Sequence, residues 1–566
     1  MRFRTFPTGL VALILLAGCT TQGPASPAPG GSAAGAAQPT GPKRISIAIK
    51  GNPPTLNDKI NSSGSGGVPG VAEASRLIHV GLAVPDEVGA LQARLAEAVP
   101  TVDNGNWRVL PDGRMETTWR IREGARWHDG TPFTADDLAF TAVVERDKEL
   151  PQFDDRAFQF LEGVDVVDAR TVTAHWNRPY IEADAMFTEQ HLLPLPKHLL
   201  EQAYNENKAG FIDLPYWTQN FVGTGPYRIR DWVPGSHMLL VANDSYVLGQ
   251  PIIREVEVQF IDDPNTMIAG LMAGTVDGTI GRGLALDQAD TIRQQRPEIQ
   301  LQLAVAGCLC AFPQYLNPNP AAIADPQFRR ALMYGLDRQE LANSLMQGLV
   351  PAAHVFVGPN EPEYKALEPS IVRYEYDPRR TAQLLEGMGY TKTADGFYHD
   401  AAGQKLSIEI RTTSSVEIGK GLLLAVADSY QRIGIGVDPV LVSPQQATDR
   451  EYRANFPGFD LVNQPSNLTL LNRFLGRESS LPENNYRGNN RMRYVSPELD
   501  TLIDRYFTTV PMNERVQTAS LAIAHITDRV VNLSMLYNAN LVLASSRLNG
   551  ITATNSAWNS HVWDIS

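Results

Sequence analysis

The chain is 566 residues long, carries a formal net charge of -13, and is 43% apolar and 20% charged. That length exceeds what one small core serves, so two or three domains are expected. The acidity excludes a surface built for nucleic acid, which needs a basic face, and suits a monomer kept apart by self-repulsion.

Arg2 and Arg4 precede the short apolar run Leu10 to Leu16, which is too short to span a bilayer as a mature helix and reads as an export signal. It ends in Leu16-Ala17-Gly18-Cys19, which resembles a bacterial lipobox. Cys19 would be lipidated and the peptide cut before it; a plain secretory signal with an incidental cysteine is the alternative. Two acyl chains plus an acylated amine would make a stable anchor. Residues 20–42 are uncharged, rich in Gly, Pro, Ala and Ser, and read as a flexible tether reaching roughly 25–30 Å. No later stretch offers the run of about 18 apolar residues that a transmembrane helix requires. Of the three cysteines, Cys308 and Cys310 remain once Cys19 is set aside. Alternation puts both on one strand face, where two ordinary thiols are favoured and a strained disulfide is the alternative.

The folded part is expected from Lys43. Ile45, Ile47 and Ile49 alternate as in a strand, and a helix is expected over Val71 to Val80 with Gly81 as its stop. The glycine run of residues 61–67 lacks the spacing of a dinucleotide fingerprint. Met115, Thr117, Trp119 and Ile121 alternate with polar residues, predicting a half-buried strand. Asp129-Gly130 supplies a turn, and Thr134 with Asp137 predicts a capped helix running to about Arg146. Val164 to His175 reads as a hairpin around Asp168-Ala169-Arg170. Asp263-Pro264, Asp325-Pro326 and Asp377-Pro378 each start a helix with an acceptor cap and a first-turn proline. In the second of these, Phe328, Ala331, Leu332, Leu341 and Leu345 suit one buried face of a helix ending around Leu336-Asp337-Arg338 and beyond. A helix from about Glu417 to Ile433 precedes the strand Gly436 to Val442, and Phe459 to Val462 is a further strand. Ser496-Pro497 caps another helix, and Val530 to Leu543 reads as a buried strand and crossing segment.

The stretch W-R-I-R-E-G-A-R-W-H-D-G-T-P-F-T-A-D-D-L, within Met115 to Thr141, resembles the signature of the peptide/nickel class of extracytoplasmic solute-binding proteins of ABC importers. Gly223-Thr224-Gly225-Pro226-Tyr227, Asp325 to Arg338, Phe459-Asp460 and Pro497-Glu498-Leu499-Asp500 resemble further motifs of that class, in its order. The resemblance implies an α/β, two-lobed, periplasmic-binding-protein-like fold with an additional domain in the first lobe. Residues 1–18 would be signal peptide and 19–42 lipidated cysteine and linker. Residues 43–75, 195–300 and 541–566 would form the first lobe, 76–194 the additional domain and 301–540 the second lobe. It also implies a non-enzymatic protein facing the periplasm or cell surface; nickel- and haem-binding relatives exist, but with no metal spacing among the histidines neither cofactor nor metal is expected here. Its partners would be a solute, the permease and ATPase subunits and, through the lipid, a membrane; nucleic acid is not among them.

Peptide-binding members of that class hold the ligand's α-amino group with an aspartate about nine residues after the strand matching Asp460, preceded by a tryptophan. Here Thr469 and Ser466 stand in those places, and no Asp occurs between Asp460 and Asp500. Asn463, Gln464, Ser466, Asn467 and Thr469 offer neutral hydrogen-bonding groups instead. Arg473, Arg477, Arg487, Arg491 and Arg493 follow, and arginine forks suit carboxylate or phosphate, with surface pairing as the alternative. A neutral or anionic cargo is therefore expected. Tyr315, Trp217 and Trp558 are candidates to line the cleft, with core packing as the alternative. The ten histidines show no metal spacing, and His128 belongs to the turn. Competing readings are a receptor or adhesin on the same fold, and an exported hydrolase. No G-x-S-x-G or H-E-x-x-H supports the hydrolase.

Overall fold

Ile45, Ile47 and Ile49 are each at most 1% exposed, as their alternation requires. Their strand, Arg44–Ile49, belongs to a ten-stranded sheet of the computed structural model, which describes residues 41–61, 70–153, 156–281, 284, 286–414 and 417–566. The export signal, Cys19, the tether through residue 40 and most of the glycine run lie outside the described residues.

The sheet order is Gly436–Val442, Ser407–Thr413, Phe459–Gln464, Ile299–Pro313, Leu533–Ser545, Gly278–Thr279, Arg44–Ile49, Glu255–Phe260, His237–Ala242 and Tyr227–Val233. Two of these strands are unusually long. Ile299–Pro313 and Leu533–Ser545 pair antiparallel from Ile299 against Ser545 to Ala311 against Leu533. At one end of the pair, Val542 and Ala544 pack into a core with Ile45, Ile47, Trp217, Tyr227 and Val256. At the other end, Phe312, Leu533 and Tyr537 pack with Phe328, Ile408, Leu423 and Phe474. The chain thus crosses between two cores on two paired strands, and the molecule has two lobes. A third core, around Trp119, Trp127, Leu138 and Trp176, covers the antiparallel sheet Trp107–Val109, Met115–Arg120, Thr171–Trp176, Leu161–Asp168.

Local sequence chemistry sets most boundaries. Asp263, Asp325 and Asp377 accept backbone N–H groups at the starts of Pro264–Ala273, Pro326–Tyr334 and Pro378–Gly387. The helix Glu417–Ile433 and the strand Gly436–Val442 lie where the pattern places them. Three expectations are corrected. The apolar stripe from Phe328 to Leu345 belongs to two helices, because Asp337 caps a new one, Arg338–Met346, through the Glu340 N–H. The helix expected to Val80 ends at Ile78, and Gly81 serves contact rather than termination: a Cβ there would meet Phe187 O at 2.0 Å. Cys308 and Cys310, favoured as thiols, are joined as a disulfide with Cα atoms 5.7 Å apart. The register against Leu533–Ser545 shifts between Leu309 and Cys310, and such bulges relax strict alternation.

The unit from Met115 to Glu145 follows the alternation and the capping signal. Met115, Thr117 and Trp119 are fully buried, Gly130 takes a positive φ of 91°, and the helix Ala135–Glu145 follows Thr134. Asp137 does more than cap its own helix. Its Oδ2 accepts the Thr134 N–H at 2.9 Å and the Trp127 indole N–H at 3.2 Å. Its Oδ1 accepts the Lys197 N–H at 3.0 Å, serving Lys197–Glu206, whose preceding residue Pro196 has no side-chain acceptor. Asp137→Ala should leave these donors unmet and cost about 2–3 kcal/mol, read as a fall in the urea midpoint. Asp137→Asn, which retains acceptor capacity, should cost less.

Candidate functional site

Two motifs lock together beside the first core. The backbone N–H of Gly223 donates to His128 Nδ1 at 3.2 Å, and His128 Nε2 lies 3.0 Å from Gly225 O. His79 spans Thr224 Oγ1 and Pro194 O, at 3.0 Å each. Burial lowers the pKa of His128 to about 4 and of His79 to about 3, so both rings are neutral at pH 7. A Cβ on Gly225 would fall 2.5 Å from the Ile78 carbonyl carbon, which explains the glycine. These residues build the scaffold and leave no open ligating atom for a metal. Among the described residues there is no cluster of His, Cys, Asp and Glu suited to one.

The expected ligand residues divide into three places. Asn463 and Gln464 end their strand against Leu309 and Cys308 of the long crossing strand. A Cβ on Gly307 would lie 2.6 Å from Asn463 Oδ1, so glycine there gives that side chain its room. Ser466, 5% exposed, lies against Gly358, whose N–H donates to Ser466 O at 2.6 Å. Asn463 Oδ1 and Gln464 Oε1 are buried acceptors without a hydrogen-bond partner. A buried unmet acceptor costs about 1–3 kcal/mol, so these two atoms mark where a polar partner would be rewarded.

Asn467 and Thr469 have another role. Asn467 Oδ1 accepts the Thr469 N–H at 3.2 Å, capping the short helix Leu468–Phe474, and Thr469 is exposed. Tyr315 packs at the second lobe's core: its hydroxyl donates to Val531 O at 2.9 Å and the Arg329 guanidinium lies 4.8 Å from its ring centre. Trp217 is 1% exposed in the first lobe's core and donates to Phe211 O at 2.6 Å. Trp558 sits under Arg94, with the guanidinium 5.2 Å from its ring centre and Arg94 Nη2 donating to its carbonyl at 3.0 Å. The Trp558 indole N–H is buried without a partner. Among the described residues, no hydrogen bond or ring contact joins Trp558 to residues 463–473.

The arginines also separate. Arg477 pairs with Asp504, Arg493 Nε donates to Ser480 O at 2.8 Å, and Arg487 is exposed. Arg491 belongs to a buried group around Asp460 whose other members, Arg411 and Arg453, the sequence did not mark as site residues, and half-buried Arg473 stands beside Arg453 and Arg491. Arg411 Nε lies 3.4 Å from Asp460 Oδ1, and Arg453 Nη2 and Arg491 Nη2 lie 3.2 and 3.6 Å from Oδ2. Burial raises the pKa of Asp460, but Arg491, Arg411 and Arg453 outweigh it and hold the carboxyl below its ordinary value. Alternation places Arg411 with Ser407 and Glu409 opposite Ile408 and Ile410, where solvent is expected, so its burial at 2% exposure carried no signal in the sequence.

The profile described as bacterial extracellular solute-binding proteins, family 5 Middle, matches residues 94–472. The chain is 22% identical over 377 residues to the oligopeptide-binding protein AppA of Bacillus subtilis, covering 65% of this chain and 64% of that protein. It is 25% identical over 243 residues to the probable D,D-dipeptide-binding periplasmic protein DdpA of Escherichia coli, covering 43% and 45%. The oligopeptide-binding protein of Thermus thermophilus, solved with a pentapeptide, superposes with a TM-score of 0.74 at 21% identity, covering 92% of this chain and 96% of that one. NikA of Brucella suis, solved with Fe(III)-EDTA, superposes with a TM-score of 0.76 at 18% identity, covering 92% and 100%. At these identities the superpositions establish the two-lobed fold.

Proposed function

Since the chain belongs to the bacterial extracellular solute-binding proteins of family 5, we propose that it captures a solute between its lobes and delivers it to the permease and ATPase of an ABC importer. The observation that carries this reading is the crossing of the chain on Ile299–Pro313 and Leu533–Ser545, which passes beside the unmet acceptors of Asn463 and Gln464. A solute that meets groups on both lobes favours the closed arrangement by those added contacts, and clefts between lobes are where small-molecule sites form. Three separate cores support three bodies, which we assign as a first lobe (43–75, 195–300 and 541–566), an additional domain (76–194) and a second lobe (301–540), although Met267, Leu271 and Ile292 pack with the second lobe's core and Phe140 and Phe153 with the first lobe's. Cys19 would anchor a monomer to the outer face of a membrane, and no catalytic step is assigned.

The cargo would lack a free α-amino group, because a buried ammonium needs a carboxylate and none lies in residues 461–499 except Glu478, Glu483 and Glu498. Thermal-shift screening of sugars, organic acids, blocked peptides and free dipeptides tests this. Acids, blocked peptides or sugars should raise the melting temperature and reduce the radius of gyration. Stabilisation by free-amine dipeptides alone would exclude the cargo assignment, and no response to any compound would exclude solute capture.

A further inference from the structure

Among the described residues Asp460 is the one carboxylate within ion-pair distance of Arg411, Arg453 and Arg491, and Arg473 stands next to Arg453 and Arg491. Arg411 is satisfied without help: besides Asp460, it donates to Tyr452 O at 3.1 Å and Arg453 O at 2.5 Å, and it lies 4.5 Å from the Phe456 ring centre. The other three are not. Arg453 is 6% exposed and its Nε is buried without a partner. Arg491 reaches Asp460 only at 3.6 Å, beyond hydrogen-bond distance. Arg473 is half-buried, with no hydrogen bond or ion pair among the described residues. Burial first, then like-charged arginines, lower the pKa values of Arg473 and Arg491, and of the two only Arg491 feels Asp460 in opposition. Arg491 keeps 19% of its side chain open to solvent and Arg473 is half-buried, so the patch is reachable from solvent at both.

We propose that Arg453, Arg473 and Arg491 form an oxyanion site, which receives a carboxylate or phosphate group of the cargo. This rests on the solute-binding reading and names the chemistry of its ligand. Buried guanidinium groups in excess of carboxylates lack the charge partner that burial demands, and a planar oxyanion matches the arginine fork. Asp460 orients Arg453 and Arg491 and offsets part of their charge. Gln464 lies on the same strand face as Asp460, four residues on, so its unmet Oε1 stands about 13 Å along the strand from the carboxylate. A cargo with an acidic head and a hydrogen-bond donor at that spacing, such as an N-blocked peptide, would meet both.

The test uses the mature chain with succinate and inorganic phosphate as probes, against sodium chloride at equal ionic strength. Either oxyanion should raise the wild-type melting temperature by several degrees over chloride, with phosphate acting alone if the head is a phosphate. Arg473→Gln should abolish that response, and Arg473→Lys should restore part of it. In chloride, Arg473→Gln should melt higher than wild type, because it relieves unneutralised repulsion, whereas loss of a purely structural arginine would lower it. A wild-type response no larger than with chloride, or an Arg473→Gln protein that melts lower and still responds, overturns the oxyanion site. If neutral compounds bind with affinity unchanged by Arg473→Gln, solute capture stands and the oxyanion site falls.

Discussion

Asp460→Asn should lower stability by about 3–5 kcal/mol at pH 7, the cost of removing one partner from a buried charge group and leaving the others unpaired. The size follows from the count. Asp460 is 2% exposed and, among the described residues, is the one carboxylate within ion-pair distance of Arg411, Arg453 and Arg491; without it Arg411 keeps two carbonyl acceptors, but Arg453 and Arg491 are left with no carboxylate. Urea unfolding of the two proteins measures the difference. Arg491→Gln should cost far less, since it removes a long contact and reduces the excess of positive charge. The pH dependence has a fixed sign. Asp460's folded pKa is depressed, so its contribution is complete above the ordinary carboxylate range and is lost as pH falls through the folded value. The gap between wild type and Asp460→Asn should therefore narrow in acid. An unchanged urea midpoint at pH 7 would mean that water or another group neutralises the arginines.

This charge group shows where sequence legibility ended. Features set within a few residues were readable: Asp-Pro starts at 263, 325 and 377, the Asp129-Gly130 turn, and the alternation from Met115 to Trp119. Each depends on local hydrogen bonds or on strand geometry alone. Asp337 was misread because the apolar stripe continues in phase through the break, and a cap is invisible to periodicity. The contact of Arg411 with Asp460 comes from a parallel pairing of strands 49 residues apart, which only tertiary register creates. Asn467 and Thr469 were misjudged for a local reason. Their polarity suggested a ligand, but the helix they start at Leu468 uses them first. Gly307 is the reverse case: its role is to make room for an Asn463 far away in sequence, so nothing around it advertises the site.

Asp184→Asn should stabilise the protein at pH 8 and leave it unchanged near pH 4. Asp184 lies where residues 181–184 meet the second lobe, and the Ile181 N–H donates to Phe507 O there at 3.2 Å. Burial first, then neighbouring Glu182, raises the Asp184 pKa to about 7 against the opposing pull of Arg515 and His191. Across the contact, burial and Glu363 raise Glu361 to about 7, and Tyr506 feels Glu182, Glu361, Glu363 and Arg515 together. A carboxyl whose folded pKa is raised keeps its proton where the unfolded chain has released it. Stability is then full below the ordinary carboxylate pKa of about 4, declines as pH rises, and reaches its lowest level above about 7. Three pH units on one group correspond to about 4 kcal/mol, and an uncharged asparagine avoids that loss. Melting curves from pH 4 to pH 8 should therefore show the two proteins diverging above pH 5, with the variant higher. A lobe closure that forms this contact would, by linkage, tighten solute binding at pH 5.5 relative to pH 8, and Asp184→Asn would flatten that dependence. A wild-type melting temperature parallel to the variant's across the range would show that Arg515 keeps Asp184 ionised and that the contact carries no proton.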